Sequence, residues 1–218
     1  MKVTVDMRKL QLGIKRCFDF VFSLLMIIIL SPVLLIIALL VKISSPGKAV
    51  FTQERMGKDQ KRFNICKFRT MKNPPIGTYS VDGVLYKPSG DILEPSITRV
   101  TRIGKILRKT SLDELMQLFN IFNGSMSFVG PRPTLPYQAE KYTEEQKRRF
   151  ALRPGVTGLA QVNGRNTLTW VEKIQYDLEY VDRFSILLDL KILIKTVAVV
   201  FKGEGINLEK EDPMTAKK

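Results

Sequence analysis

The strongest constraint on this chain is an uncharged apolar run from Phe20 to Val41, interrupted near its middle by Ser31-Pro32. At ~1.5 Å per residue, a helix of this length is just able to cross a bilayer core of ~30 Å. Pro32 removes one amide donor and clashes with the carbonyl of Ile28, so we expect a kink there. Ser31 can donate to the carbonyl of Ile27 and ease the loss of a hydrogen bond in lipid.

Charges on the two sides of this run predict its topology. Basic residues precede it at Arg8, Lys9, Lys15 and Arg16 and follow it at Lys42, Lys48, Arg55 and Lys58. The positive-inside rule therefore assigns both flanks to the cytoplasm. A re-entrant helix-hairpin, kinked at Ser31-Pro32 within one leaflet, satisfies both flanks, and a kinked single-pass helix is the alternative. A cleaved signal peptide is disfavoured because the run is too long and lacks a small-residue cleavage site.

The composition limits the classes of partner. Lys and Arg total 35 against 21 Asp and Glu, a formal net charge of +14, so we expect anionic membrane lipids and anionic substrates. No nucleic-acid-binding signature appears, and a membrane segment argues against DNA. The chain contains no histidine, which excludes histidine-dependent triads and most zinc sites. Cys17 and Cys66 are most simply free thiols.

Two adjacent carboxylates, Asp113 and Glu114, are then the leading reactive candidates. A basic cluster (Arg102, Lys105, Arg108 and Lys109) precedes them, and Arg132 follows between two prolines. One interpretation is a capping box, in which Ser111 is the N-cap of a helix and Glu114 its N3 residue. The other is an anion site in which nearby cations keep a carboxylate ionised. The two interpretations are compatible.

The segments around this pair predict small β-structure and loops. Alternating apolar residues between 49 and 68 predict a β-hairpin that turns at Gly57-Lys58-Asp59. Recurring Pro and Gly over 73–96 predict a surface loop insertion. The glycine-rich stretch 153–166 either brings backbone close to a ligand or only turns. Its arginines, Arg153 and Arg165, are candidate phosphate-binding residues.

The C-terminal part predicts helices over 170–183 and 185–201. The apolar face of the second helix lies either on the bilayer surface or against the domain. Asp189 stands among these apolar residues, and a buried acid usually has a cationic or metal partner. The expected fold is α+β and mostly α. The expected organisation is a basic flank and membrane segment (1–43), one cytoplasmic domain (44–202) and a polar tail (203–218).

Several motifs in order carry a family resemblance: VFTQERMG, KFRTM, TRIGKILRKTSLDEL, MSFVGPRP, RPGVTGLAQVNGRN and DLKIL. From about Lys15 to Phe201 the chain strongly resembles the bacterial sugar transferases known as monotopic phosphoglycosyl transferases. It departs from them at Met116, where the family usually has proline, which should alter packing rather than chemistry. The 73–96 segment is also long for a minimal member.

The resemblance implies an enzyme of bacterial glycan assembly. Family members move a sugar-1-phosphate from a UDP-sugar to polyprenyl phosphate and release UMP, on the cytoplasmic face of the bacterial inner membrane. By this resemblance Asp113 is the covalent nucleophile, and Glu114 helps to hold Mg²⁺ or to orient Asp113. Mg²⁺ with its oxygen ligands would cancel repulsion between a carboxylate and a diphosphate.

The resemblance also implies a set of substrate-binding residues. Arg108 and Arg132 would assist Mg²⁺, Asp189 matches a family functional position, and Lys67 and Arg69 in KFRTM are weaker candidates. The alternative from another class is a non-enzymatic membrane-anchored domain that binds anionic lipid or a partner protein. The sequence leaves open which sugar is used and whether the protein forms a homo-oligomer.

Overall fold

The computed structural model describes residues 2–73, 79–81, 84–86, 99–164 and 167–202. Helices dominate, with small two-stranded sheets, which confirms the mostly helical α+β prediction. The α-helices are α1 (Lys2–Ser44), α2 (Arg102–Thr110), α3 (Gln117–Phe122), α4 (Pro136–Glu140), α5 (Glu144–Lys147), α6 (Leu159–Val162), α7 (Trp170–Asp182) and α8 (Ile186–Lys202). The strands are β1 (Val50–Met56), β2 (Arg62–Phe68), β3 (Tyr79–Val81), β4 (Val84–Tyr86), β5 (Ser127–Val129) and β6 (Gly155–Thr157). Most of the 73–96 insertion and the 203–218 tail lie outside the described residues.

Helix α1 continues through Pro32. The expected division into two arms at Ser31-Pro32 is therefore not confirmed by the backbone. Ser31 Oγ donates to the carbonyl of Ile28 at 2.8 Å, so the expected bond to Ile27 is wrong. The physical reason is that the Ile28 carbonyl would normally accept from residue 32, and proline has no N–H to give. The serine thus replaces the donor that proline removes.

One face of α1 packs along the domain. Leu34, Ile37 and Val41 join Phe68 and Leu107 in a buried cluster. Met26, Ile27 and Leu30 pack against a second cluster built on β2 and α3. These α1 positions recur every three or four residues, so they form one stripe on the helix. The stripe fixes β2 and α3 against a single helix.

Polar contacts fasten both ends of α1 to this domain. Near its beginning, Arg8 donates to the carbonyl of Val181 at 2.8 Å, and Lys15 forms an ion pair of 2.6 Å with Asp189. At its end, the buried Arg69 side chain donates to the carbonyl of Ser45 at 2.6 Å and also contacts the Pro46 carbonyl. Because α7, α8 and the segment after β2 provide these contacts, both ends of α1 lie against the same body.

The faces of α1 and α8 that do not pack are strongly apolar. In α1 the exposed residues include Ile28, Ile29, Leu35, Ile36 and Ile43; in α8 they are Ile186, Leu187, Leu190, Ile194 and Val197. Within the described residues α1 is the helix whose length and composition would allow it to cross a membrane. The two C-terminal helices are confirmed, and α8 turns Ile192 into the core and most of its predicted apolar face outward.

The predicted hairpin is confirmed. β1 and β2 are antiparallel, with Val50 opposite Phe68 and Met56 opposite Arg62. The turn between them uses Asp59 and Gln60 at positive φ, 54° and 56°. Ile65 and Phe68 are three residues apart and so lie on opposite faces of β2, where each enters one of the two clusters that α1 supports.

The glycine-rich stretch contributes β6 to a parallel strand pair. Ser127 pairs with Gly155 and Val129 pairs with Thr157, which joins β5 to β6. A Cβ on Gly155 would overlap the backbone of Gly130 and Thr157, and a Cβ on Gly158 would overlap the Gly130 carbonyl. The glycines therefore allow backbone to approach backbone, and the turn that follows β5 is held at a fixed distance from β6.

We expect Gly155→Ala to destabilise the protein by about 1–3 kcal/mol, because the added methyl has no space without a backbone shift. Thermal unfolding in detergent would measure this change. Gly13→Ala is the matched control: it lies in α1 with nothing within 4 Å of an added Cβ. That change should be neutral or stabilise by about 0.5–1 kcal/mol. Equal stability of the Gly155→Ala variant and the wild type would contradict the close-approach argument.

Candidate active site

The carboxylate pair follows a sharp break in the helical backbone. Thr101 caps the start of α2 by accepting a hydrogen bond from the N–H of Gly104 at 2.9 Å, and Ser111, whose φ is +57°, caps its end. Ser111 makes no side-chain cap bond, so the predicted capping box is wrong. Asp113 and Glu114 lie in the 3₁₀ turn Leu112–Met116, which precedes α3. Ser111 in the left-handed region thus ends one helix instead of beginning the next.

Glu114 has a distant partner in place of the Ser111 amide. Lys67 Nζ donates to Glu114 Oε1 at 2.6 Å, and each side chain is 22% exposed. Leu112, Leu115 and Met116 pack against the cluster that contains Phe68. Because Phe68 follows Lys67 on β2, apolar packing brings the lysine beside the carboxylates. The Lys67–Glu114 ion pair therefore follows from the packing of β2 against the 3₁₀ turn.

Asp113 experiences opposing influences. Burial raises the pKa of its carboxyl above the ordinary value and is the largest effect; Glu114 acts in the same direction. Lys67 and Arg108 lower that pKa because they stabilise the ionised form. The result is a carboxylate that is partly removed from water and dependent on two neighbouring cations for its charge.

Arg108 is held in place by the chain that follows β2. Its Nε donates to Thr70 Oγ1 at 2.9 Å. Burial lowers the pKa of the Arg108 guanidinium, and Asp113 opposes that shift. Gly104 allows this approach, because a Cβ there would overlap the Thr70 backbone. α2 can therefore dock close enough for Arg108 to act on Asp113.

A small polar cleft adjoins the carboxylates. It is lined by Arg55, Ile65, Lys67, Glu114, Gln117, Arg132, Pro133, Gly155 and Val156. Three cationic side chains, from β1, β2 and the turn after β5, thus surround one opening. Such an arrangement suits a ligand with several phosphate oxygens, since arginine donates in a fork that matches phosphate.

Other residues predicted for substrate binding lie elsewhere. Arg69 is bound to the carbonyls that follow α1, and Arg153 Nε donates to the Gly124 carbonyl at 2.8 Å, beyond α3. Asp189 pairs with Lys15 and accepts from Tyr180 Oη at 2.7 Å. Their contacts join separate segments of the fold, and none of the three lines the cleft. Arg165 lies outside the described residues.

Arg55 and Gln117 line the cleft although the sequence interpretation did not select them. Arg55 belongs to the VFTQERMG motif, so the motif could have identified it as a site residue. Arg149 and Asp177, which form a buried ion pair, were also missed. Arg149 lies in a charged run and Asp177 lies on an ordinary helix. Neither position gives a local signal, because the partner of each residue lies in another element.

The two adjacent carboxylates are also the oxygen ligands available for a metal beside the cleft. Among the described residues there is no group of three or more His, Cys, Asp and Glu side chains that could hold an ion. Mg²⁺ is usually bound by one or two carboxylates together with substrate phosphates and water. Asp113 and Glu114 therefore fit a magnesium ion that arrives with a phosphate ligand.

Comparison with known proteins places the chain in a family. A model described as bacterial sugar transferase matches residues 10–203. An uncharacterized sugar transferase of Bacillus subtilis, EpsL, is 39% identical over 88% of this chain and 90% of its own length. The exopolysaccharide production protein PSS of Rhizobium leguminosarum is 40% identical over 90% of this chain and all of its own length.

One longer relative is named for a specific reaction. The UDP-glucose:undecaprenyl-phosphate glucose-1-phosphate transferase of Klebsiella pneumoniae is 44% identical over 87% of this chain but only 40% of its own length. The chain thus spans less than half of that protein. These matches show that the chain belongs to the bacterial sugar transferase family. It is a transferase, which argues against the non-enzymatic membrane-anchored domain.

We expect Lys67→Met to move the acid limb of the pH–activity profile upward by about one pH unit or more. Lys67 is the largest influence that lowers the Asp113 pKa, so its removal raises that pKa. Activity that needs ionised Asp113 is then lost at a higher pH as the solution is acidified. Arg62→Met, which removes an exposed ion pair with Glu54 on the same strand pair, should leave the profile unchanged. An unshifted acid limb in Lys67→Met would contradict this account.

Proposed function

We propose that the protein transfers a sugar-1-phosphate from a UDP-sugar to polyprenyl phosphate and releases UMP. The observation that carries this proposal is the Asp113–Glu114 pair beside a cleft lined by Arg55, Lys67 and Arg132. The Klebsiella relative is named for this type of transfer with glucose and undecaprenyl phosphate. Which sugar the UDP-sugar carries is not specified.

The proposed reaction has two displacements at one phosphorus atom. An Asp113 carboxylate oxygen attacks the phosphate that carries the sugar, and the bond between that phosphorus and the UMP oxygen breaks. UMP leaves with the bonding electrons. An oxygen of polyprenyl phosphate then attacks the phosphosugar on Asp113, which restores the carboxylate and forms polyprenyl-diphosphate-sugar. Each step exchanges one P–O bond for another.

The charges around Asp113 support attack by one anion on another. Lys67 and Arg108 favour the ionised carboxylate by lowering its pKa, while burial, the larger effect, raises that pKa. Arg55 and Arg132 are placed to bind phosphate oxygens in the cleft. We assign a bound Mg²⁺ to Asp113 and Glu114, where it would neutralise charge on the diphosphate.

The same proposal places the enzyme on the cytoplasmic face of the bacterial inner membrane, with α1 re-entrant. A single-pass helix must separate its ends by the bilayer, whereas Arg8 and Ser45 at the two ends of α1 contact one domain. The exposed apolar faces of α1 and α8 would enter lipid. Anionic lipids would meet the basic residues, and the acceptor would present its phosphate at headgroup depth.

A burst assay tests the covalent mechanism. Purified protein mixed with a panel of UDP-sugars, without acceptor, should release about one equivalent of UMP from one of them. Mass spectrometry should then find a phosphosugar on Asp113. EDTA should remove the burst, and added Mg²⁺ should restore it.

Asp113→Asn should lose both the burst and the adduct, because an amide is a poor nucleophile. Asp59→Asn is the control, since Asp59 is an exposed carboxylate in the hairpin turn and asparagine accepts its positive φ. It should behave as the wild type. A labelled residue other than Asp113, or UMP release only when polyprenyl phosphate is present, would contradict the covalent scheme.

Cysteine labelling tests the topology. Lys2→Cys and Lys48→Cys, each in a Cys17→Ser/Cys66→Ser background, should resist a membrane-impermeant maleimide in intact cells and react after permeabilisation. Adding Ser31→Ala and Pro32→Ala should give mixed topology and less activity, because a straighter apolar helix is long enough to cross. Labelling of Lys2→Cys from outside in otherwise unaltered α1 would establish a single-pass protein and overturn the re-entrant proposal.

A further inference from the structure

The turn Gly130–Pro133, which carries Arg132 into the cleft, is held on two sides by backbone bonds. The N–H of Gly155 donates to the Pro131 carbonyl at 2.9 Å, and the N–H of Met56 donates to the Thr134 carbonyl at 2.9 Å. These bonds attach the beginning of the turn to β6 and the residue after it to β1. Two of the four residues are prolines and cannot donate. The direction of the central residue, Arg132, therefore depends on what holds its own peptide.

Arg149 holds the carbonyl of that residue. Its guanidinium donates to the Arg132 carbonyl at 2.9 Å and to Tyr142 Oη at 2.7 Å. The same group forms an ion pair with Asp177 of α7. It lies over the rings of Tyr142 and Phe150, 5.4 and 5.9 Å from their centroids. Its planar fork therefore has little freedom to turn away from Arg132.

Asp177 fixes the Arg149 side chain that holds the Arg132 carbonyl. Burial raises the pKa of the Asp177 carboxyl, whereas Arg149 lowers it most strongly and the nearby Arg132 lowers it further. The Asp177 side chain is 1% exposed and that of Arg149 is 3% exposed. The pair thus holds the carbonyl of one cleft residue, directly through Arg149 and indirectly through Asp177, which fixes Arg149.

Stability alone does not account for such a pair. Desolvation of two charges is costly, so a buried ion pair often stabilises a fold no better than apolar residues of similar size. Its contacts with Arg132 offer a geometric reason for it to be there. Within the described residues Arg149 and Asp177 do not line the cleft, so they would act through Arg132.

We propose that Arg149 and Asp177 are positioning residues that aim the Arg132 guanidinium at a substrate phosphate in the cleft. This inference rests on the proposed function, because it assigns Arg132 a phosphate of the UDP-sugar. A displaced Arg132 would bind that phosphate in the wrong place, and misplacement of about 1 Å can reduce the rate by about 100-fold.

The test replaces the whole pair, so that no buried charge is left alone. Arg149→Met with Asp177→Leu should fold, as judged by a cooperative thermal transition, because apolar residues of similar size can replace a buried pair. We expect kcat/KM for the UDP-sugar to fall by about 10- to 100-fold. UDP affinity, measured by calorimetry, should fall with it.

A mutant cycle separates positioning from general damage. Arg132→Ala should lower kcat/KM and UDP affinity, and adding the two pair substitutions to it should cause little further loss, because the pair acts through a side chain that is no longer there. The matched control is Arg148→Gln with Asp182→Asn. This exposed ion pair joins the same two elements as Arg149 and Asp177, and its removal should change neither quantity.

Full activity and UDP affinity in a folded Arg149→Met/Asp177→Leu variant would overturn the inference, as would losses that add to those of Arg132→Ala. If that variant does not fold, Arg149→Lys retains the charge but not the planar fork, and it should show the same non-additive loss. Absence of UMP release from the wild type would instead reject the proposed function. The UDP-affinity cycle would still decide whether the pair positions Arg132.

Discussion

The rest of the structure depends on one helix that must serve two environments. Leu34, Ile37 and Val41 of α1 enter the protein core, while Ile29 and Leu35 on other faces of the same helix are 67% and 71% exposed. The buried stripe supports the cluster that also fixes β2 and the 3₁₀ turn. The carboxylates and the lysine that faces them are attached to those two elements. The geometry of the candidate active site therefore follows from the packing of the helix proposed to enter the membrane.

Burial and charge oppose each other at the reactive carboxylate, and each has a separate structural source. The 3₁₀ turn withdraws Asp113 from water, Lys67 reaches it from β2, and Arg108 reaches it from α2. Either cation alone would leave the carboxyl closer to its neutral form. Lys67 lies on β2 and Arg108 lies on α2, which docks against Thr70 just after β2, so the pKa of Asp113 depends on the position of both elements. Packing and reactivity are coupled here through a single pKa.

The sequence predicts an element correctly where the residues that determine it lie close together in the chain. The β1–β2 hairpin has its turn signal within a few residues, α7 begins at a capping box formed by Thr169 and Glu172, and both predicted elements are confirmed. The charge pattern around Asp113 likewise predicts a cationic surrounding. The capping box fails because Lys67, 47 residues away, engages Glu114 while Ser111 takes a left-handed conformation. For Asp189 the residue type indicates that a partner is needed, but no spacing rule identifies Lys15 as that partner.

The long-range fastening of α1 has a consequence for biosynthesis. The partners of Arg8 and Lys15 lie 173 and 174 residues further along the chain, so neither contact can form until α7 and α8 have been synthesised. Domains are made from the N-terminal side, and the apolar stripe of α1 has no core to enter until β2, α2 and α3 have also been made. A nascent chain with such a helix exposed is suited to delivery to the bilayer while still on the ribosome. The later segments would then fold beside lipid, with α1 already in place as their template.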